Sequence, residues 1–162
     1  MNQQLRQDAD RIIADAIHAV LPDQAVIRAL DAASFPGRIR LVAAGKAAWQ
    51  MAQAASKTLG DSLECGVICT KYGHCGGKLP KITCCEGGHP IPDENSLRAT
   101  DAALSLVQGL TAQDTVLFLL SGGGSALFEK PLIPLHELQN ITQQLLASGA
   151  SIVEINAIRK RL

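Results

Sequence analysis

The sequence predicts an α/β fold: a Rossmann-like parallel sheet flanked by helices, with a helical segment at the amino terminus. Three observations point there. Short apolar runs alternate with stretches of helical period, the arrangement of parallel βαβ units. Glycine-bearing loops follow directly on two of those runs, at Gly45-Lys46 and at Ser121-Gly122-Gly123-Gly124-Ser125. The chain has 162 residues, 47% of them hydrophobic and 19% charged, which suits one domain with a real core and not a disordered segment.

The elements follow in order. Leu5, Ile12, Ile13, Ala16, Ile17 and Val20 recur at helical spacing, with Arg6, Asp8, Asp10 and Arg11 on the polar side. Pro22 ends that helix, and Asp23 is expected to cap a second one running to Leu30. Pro36-Gly37 marks a turn, and Ile39 to Ala43 a first strand. Ala47, Met51, Ala54, Ala55 and Leu59 form one face of the next helix, with Gly60 as its C-cap. Further strands are expected at Cys65 to Thr70, Lys81 to Cys85 and Thr115 to Leu120, the last read as buried. The stretch from Lys71 to Pro80 is too short for a full crossover helix, which leaves that connection undefined. A helix opened by Pro92-Asp93-Glu94 carries Leu97, Leu104 and Val107 and stops near Gly109. A last helical region has a stripe from Leu135 to Leu146, then Ser148-Gly149, then a capping box at Ser151 and Glu154.

Composition removes several function classes. Fifteen basic residues balance fifteen acidic ones, so no excess charge recruits nucleic acid or an anionic membrane. The few aromatic residues, Phe35, Trp49, Tyr72, Phe118 and Phe128, do not make a base-stacking platform. The longest strongly apolar run, Val116 to Leu120, is far too short to span a bilayer, and the first residues carry no secretion signal. A cytoplasmic location is expected. Cys65, Cys69, Cys75, Cys84 and Cys85 are odd in number and lack a secreted-scaffold spacing. Structural zinc with His74 or His89 is disfavoured: Cys65 and Cys69 fall inside a strand, and adjacent Cys84 and Cys85 point to opposite faces of another. Reduced thiols are the expectation, with no metal site.

Three segments have the residue types of a site. In Ser121-Gly122-Gly123-Gly124-Ser125, glycines permit dihedrals that turn successive N–H groups toward one point, an anion nest, and the serine hydroxyls add donors. Its place after a strand is where α/β sheets bind ligands. Gly45-Lys46 is a second candidate anion site, weighed against a merely solvated lysine, with Lys46 expected in the first turn of a helix. It is not a Walker A loop, since Arg40 stands where the first glycine belongs and Ala47 follows the lysine; G-x-G-x-x-G is also absent. In Gly88-His89-Pro90-Ile91-Pro92-Asp93-Glu94, His89 and Asp93 emerge from a strand end, although Asp93 is most simply an N-cap. Arg159 and Lys160 lie either on a helix face that can reach an anion or, equally well, on a solvated one. His18 and His136 read as surface helix residues.

Four motifs in this order, GKAA with Met51-Ala52 following, GHPIPDE, LLSGGGSALF and SGASIVEINAIRKRL, resemble the amino-terminal part of the glycerate 2-kinases, the family with a carboxyl-terminal MOFRL domain that is sometimes labelled hydroxypyruvate reductase. The resemblance spans about residues 38 to 162. It implies ATP-dependent phosphorylation of D-glycerate to 2-phosphoglycerate with magnesium. By matching positions it implies Lys46 as the active-site lysine and Gly45 with Ser121, Gly122, Gly123, Gly124 and Ser125 as ligand loops. His89, Asp93, Glu94, Asn156 and Arg159 fall in motifs around the cleft.

Family members are more than twice this length. The chain stops before their usual Ser-x-x-Lys-Gly-Gly segment, and Arg161 stands where many have histidine. Residues 1–162 are therefore expected to be the first portion of the family's amino-terminal domain, without the MOFRL domain, inactive alone and able to self-associate through exposed interdomain surface. Two other readings remain. One is a nicotinamide-dependent hydroxypyruvate reductase, against which the missing dinucleotide fingerprint counts. The other is a noncatalytic lobe that binds an anion or a partner chain.

Overall fold

The structure, a computed structural model, describes residues 3–162. Four strands, β1 (Ile39–Ala44), β2 (Leu63–Lys71), β3 (Ile82–Gly87) and β4 (Thr115–Leu120), form a parallel sheet in the order β3-β2-β1-β4. Helices α1 (Gln3–Val20) and α2 (Pro22–Asp31) precede the sheet; α3 (Ala48–Leu59) joins β1 to β2, and α4 (Glu94–Leu106) joins β3 to β4. The short α5 (Gly124–Leu127), α6 (Leu135–Ala147) and α7 (Ile152–Arg159) follow. The expected parallel sheet flanked by helices, with a helical amino terminus, is the architecture observed.

Two apolar layers sandwich the sheet. Ile39, Leu41 and Ala43 of β1 and Leu63 and Ile68 of β2 pack against Val26 and Leu30 of α2 and the alanines of α3. Alanine at Ala48, Ala52 and Ala55, all fully buried, lets α3 lie close on the strands. On the opposite face Val42, Ala44, Val67 and Cys69 meet Ala99 and Ala103 of α4. Adjacent strand residues thus divide between the faces, as the pleat requires. Cys84 and Cys85 divide the same way, one with each layer.

Two expectations change, for Asp23 and β4, and the structure adds two features, at α1 and in the β2–β3 connection. Asp23 does not cap α2: Leu21 is the N-cap and Pro22 occupies the first turn, where its missing N–H costs nothing. β4 is not buried: Leu119 faces the α2/α3 layer, while Val116, Phe118 and Leu120 are exposed on the other face. The cause is tertiary, because α4 sits over β2 and β3 and leaves the outer half of that face open. The amphipathic helix α1 forms as expected, yet none of its residues is buried, and Leu5, Ile12, Ile13, Ile17 and Val20 face solvent. The β2–β3 connection is a parallel crossover without a helix. Residues 72–81 fold over the α3 side of β3, where Trp49 Nε1–H donates to the Gly77 carbonyl (2.9 Å).

Candidate functional site

All four strands point their carboxyl ends to one edge, so the loops beginning at Gly45, Tyr72, Gly88 and Ser121 meet there. The loops after β1 and β4 are stitched together. Ser121 N–H donates to the Ala44 carbonyl (2.9 Å), and Lys46 N–H donates to the Gly122 carbonyl (3.0 Å). The Ser121 hydroxyl accepts the Ala47 N–H (3.0 Å) and reaches the Ala44 carbonyl (3.4 Å). Only glycine fits at Gly45: its φ is +117°, and a Cβ would lie 2.3 Å from Ser121 Oγ. The buried Thr70 hydroxyl donates to the Gly45 carbonyl (2.9 Å), which ties the end of β2 to the same loop. The Ser121 hydroxyl thus ties the two loops together. One expectation is corrected: Lys46 stands before α3, with Ala47 as N-cap, instead of inside its first turn.

Lys46, His89 and Gly123 converge at this edge. A Cβ on Gly123, whose φ is +82°, would lie 2.7 Å from His89 Nε2 and 3.1 Å from Lys46 Cε. His74 Nδ1–H donates to the Lys46 carbonyl (2.9 Å), which fixes the backbone that carries the exposed ammonium. Burial lowers the His89 pKa, and the charges of Lys46, Lys71 and Arg159 lower it further. His89 is therefore neutral at pH 7 inside a positive field. The nest is smaller than expected, since Gly124 N–H is taken by the Ser121 carbonyl (3.2 Å). The N–H groups of Gly122 and Gly123 have no protein acceptor among the described residues. An ammonium, an imidazole and two amides without protein acceptors thus lie at one edge, groups of the kind that can hold an anionic oxygen.

The remaining sequence candidates divide. Asp93 lies behind the cluster and is an N-cap: its Oδ1 accepts Ser96 N–H (2.9 Å), and its Oδ2 accepts the Tyr72 hydroxyl (2.7 Å). Burial alone raises its carboxyl, but hydrogen bonds from Tyr72, Ser96 and Gly88 outweigh that and hold it below the usual range. Asn95 in turn donates to the Tyr72 oxygen (2.7 Å). Glu94 points away, paired with Arg98 on exposed surface (3.1 Å). Ser125, Asn156 and Arg159 line an adjoining cavity of about 460 Å³ with Phe128, Glu129 and Leu138. Arg159 is only 10% exposed there, ion-paired with Glu129, and its guanidinium also reaches the Ser125 carbonyl (3.5 Å). Its Nε and Glu129 Oε2 are buried without partners.

Sequence reasoning missed Lys71, the last residue of β2, near His89, and Tyr72, which follows it and donates to Asp93. The signal was available in principle, because residues just past a strand's carboxyl end are site candidates in any parallel sheet. No cation site is built here. Among the described residues no group of three or more His, Cys, Asp or Glu side chains could hold a metal ion. The nearby carboxylates are engaged: Glu86 by the amides of His74 and Cys75, Asp93 by Tyr72 and Ser96, Glu129 by Arg159. Nor is any helix among the described residues long and apolar enough to cross a membrane.

Comparison with known proteins gives a consistent result. The family described as Domain of unknown function (DUF4147) matches residues 8–162. D-glycerate 2-kinase of Thermotoga maritima is 50% identical over 162 residues, covering 99% of this chain and 39% of that protein. A crystal structure of glycerate kinase from the same organism superposes with a TM-score of 0.90 over 99% of this chain and 39% of that one. Glycerate 2-kinase of Pyrococcus horikoshii is 40% identical, over 98% of this chain and 38% of that protein. A relative from Agrobacterium vitis, 39% identical over 97% of this chain and 36% of that protein, bears the name "Putative hydroxypyruvate reductase". The chain thus spans about 39% of the length of the first of these relatives.

Proposed function

The chain belongs to the DUF4147 family, and from that premise we propose that it forms an anion-holding lobe of an enzyme that phosphorylates D-glycerate to 2-phosphoglycerate with ATP. Residues 1–162 then lie within the amino-terminal domain of such an enzyme, in the cytoplasm, where free thiols stay reduced. The observation that carries this reading is the convergence of Lys46, His89 and Gly123 at the carboxyl edge of the sheet. The glycerate kinase names of the Thermotoga and Pyrococcus relatives support the substrate.

Phosphoryl transfer breaks the bond between the γ-phosphorus and its bridging oxygen, forms one to the C2 oxygen of glycerate, and releases the hydroxyl proton. Charge spreads over the equatorial oxygens, so positioned donors matter more than a covalent catalyst. Lys46 and the Gly122 and Gly123 amides supply those donors for phosphate or carboxylate oxygens. Neutral His89 can orient a hydroxyl without adding charge. The side chains present do not make a magnesium site, so a divalent ion would enter with the triphosphate oxygens as ligands.

Calorimetric titration with ATP-magnesium and, separately, D-glycerate tests the reading through binding. Saturable binding of at least one is expected. Lys46→Ala should weaken it roughly 10- to 100-fold, the worth of one charge-assisted hydrogen bond. Gly123→Ala should weaken it too, since its methyl group meets His89. A folded chain that binds neither, or binds equally well without Lys46, overturns the proposal. The name of the Agrobacterium relative favours a second reading, hydride transfer to hydroxypyruvate. Saturable NADH binding by the same sample would select it.

A further inference from the structure

The β2–β3 connection contains two thiols that the phosphoryl chemistry does not use. Cys75 lies in the connection and Cys84 in the middle of β3. Glu86 shares a face of β3 with Cys84, being two residues further along. Its Oε1 accepts the backbone N–H groups of His74 (3.0 Å) and Cys75 (2.9 Å), which holds Cys75 over that face. Trp49 fixes the far side of the turn by its bond to Gly77, and a Cβ on Gly76 would lie 2.6 Å from its ring. Cys75 is thereby held over the face of β3 that carries Cys84, with its thiol donating to the Gly77 carbonyl (3.7 Å). Both are free and half-buried.

The other cysteines are placed differently. Cys85 faces the α4 layer, on the opposite side of the strand from Cys84. Cys69 is opposite Cys85 in the sheet register, but it is fully buried, out of reach of an oxidant in solution. Cys65 lies toward the other end of β2, opposite Arg40.

We propose that Cys75 and Cys84 form a reversible thiol–disulfide pair, oxidised by peroxide, that clamps the β2–β3 connection onto β3. The Cys75 sulfur, on the loop, attacks a peroxide oxygen. The O–O bond breaks, the thiol proton leaves with the departing oxygen as water, and Cys75 becomes a sulfenic acid. The Cys84 sulfur then attacks the Cys75 sulfur, the S–S bond forms, the S–O bond breaks, and a second water carries away the Cys84 proton. Two thiols are oxidised and one peroxide is reduced to two waters. Burial and the adjacent Cys75 thiol push the Cys84 pKa up, so the first attack falls to Cys75 on the loop and the Cys84 attack relies on the nearness of the two residues. The clamp closes one residue from His74, whose ring supports the Lys46 carbonyl. It does not depend on the kinase reading.

The test is peroxide treatment of the native chain, alkylation of remaining thiols and tryptic mapping without reductant. Cys75 falls in the peptide 72–78, whereas Cys84 and Cys85 share the peptide 82–98, so variants must separate them. A cross-link between these peptides is expected to persist in Cys85→Ser, to vanish in Cys75→Ser and Cys84→Ala, and to reverse with dithiothreitol. Cys75→Ser alters only the loop, so its fold is preserved even if Cys84→Ala disturbs the strand. The single tryptophan, Trp49, should change its emission in step with the cross-link. A cross-link that survives Cys84→Ala, one that is lost in Cys85→Ser, or Cys75 remaining fully alkylatable overturns the assignment. So does unchanged Trp49 emission.

Discussion

β1 and β4 are hydrogen-bonded neighbours in register from Ile39 and Thr115 to Ala44 and Leu120, and both end in glycine loops at the site. Their surroundings differ. Every β1 residue except Arg40 is buried, whereas β4 alternates and leaves Leu120 63% exposed. A strand can therefore carry half of a binding edge while one of its faces is covered only in part, here by Phe128 edge-on against Phe118 (5.4 Å). Position at the edge comes from backbone pairing, and stability comes from what is stacked on the faces.

Side-chain truncation should separate the two strands most widely. Leu41 has no exposed surface and packs between α3 and the neighbouring strands, so Leu41→Ala should cost about 3 kcal/mol through lost burial and an unfilled cavity. Leu120→Ala, at the open face of β4, should change stability by no more than about 0.5 kcal/mol. Urea unfolding of both variants measures the difference. Equal losses would mean that the outer face of β4 is covered in solution, by self-association for instance, and a dependence of the Leu120→Ala midpoint on protein concentration would identify that case.

A smaller effect is expected at the helix that covers β2 and β3 but not β4. Asp93 starts α4 through a reciprocal pair with Ser96 and also takes the Tyr72 hydroxyl. Asp93→Ala should cost about 1 kcal/mol, while Asp93→Asn, an equally good N-cap, should cost much less. Ligand affinity should follow the same order, being preserved in Asp93→Asn. An asparagine variant that is stable yet loses binding would show that the carboxylate charge contacts ligand and does more than anchor the helix.

Much of this was legible in the sequence because it depends on local patterns. The bounds of β4 follow from the run Thr115 to Leu120, and the Ser151–Glu154 box follows from spacing; both appear in the structure. Lys46 and the glycine loop stood out for their position after strands. The exposure of Val116 and Phe118 was not legible, because it is decided by where α4 lands, far along the chain. Likewise nothing local tells that the Ser121 hydroxyl reaches across to the loop after β1. Asp23 was misread because both Asp23 and Pro22 are helix-start residues, and the ring of proline took the first turn. Lys71 was missed because it reads as the polar end of a strand until the sheet order sets it beside His89.

The carboxyl ends of β1 and β4 differ least, since their loops press on His89 from two sides. The effect there is small but has a definite sign. Burial is the leading cause of the lowered His89 pKa and Lys46 comes second, so Lys46→Ala should raise it only part of the way back toward about 6.5. A group with a lowered folded-state pKa binds its proton more readily when unfolded. Its contribution to stability is thus complete above the unfolded value and falls away as the pH drops through the folded one. Wild-type stability should decline on acidification below about pH 6.5, and His89→Gln should decline less over that interval. A bound anion acts in the opposite direction to Lys46, stabilising the imidazolium and raising the pKa. Inorganic phosphate should therefore move the His89 imidazole titration, followed by NMR, upward in the wild type and less in Gly123→Ala. A titration unmoved by phosphate would mean that the loops after β1 and β4 meet without forming an anion site.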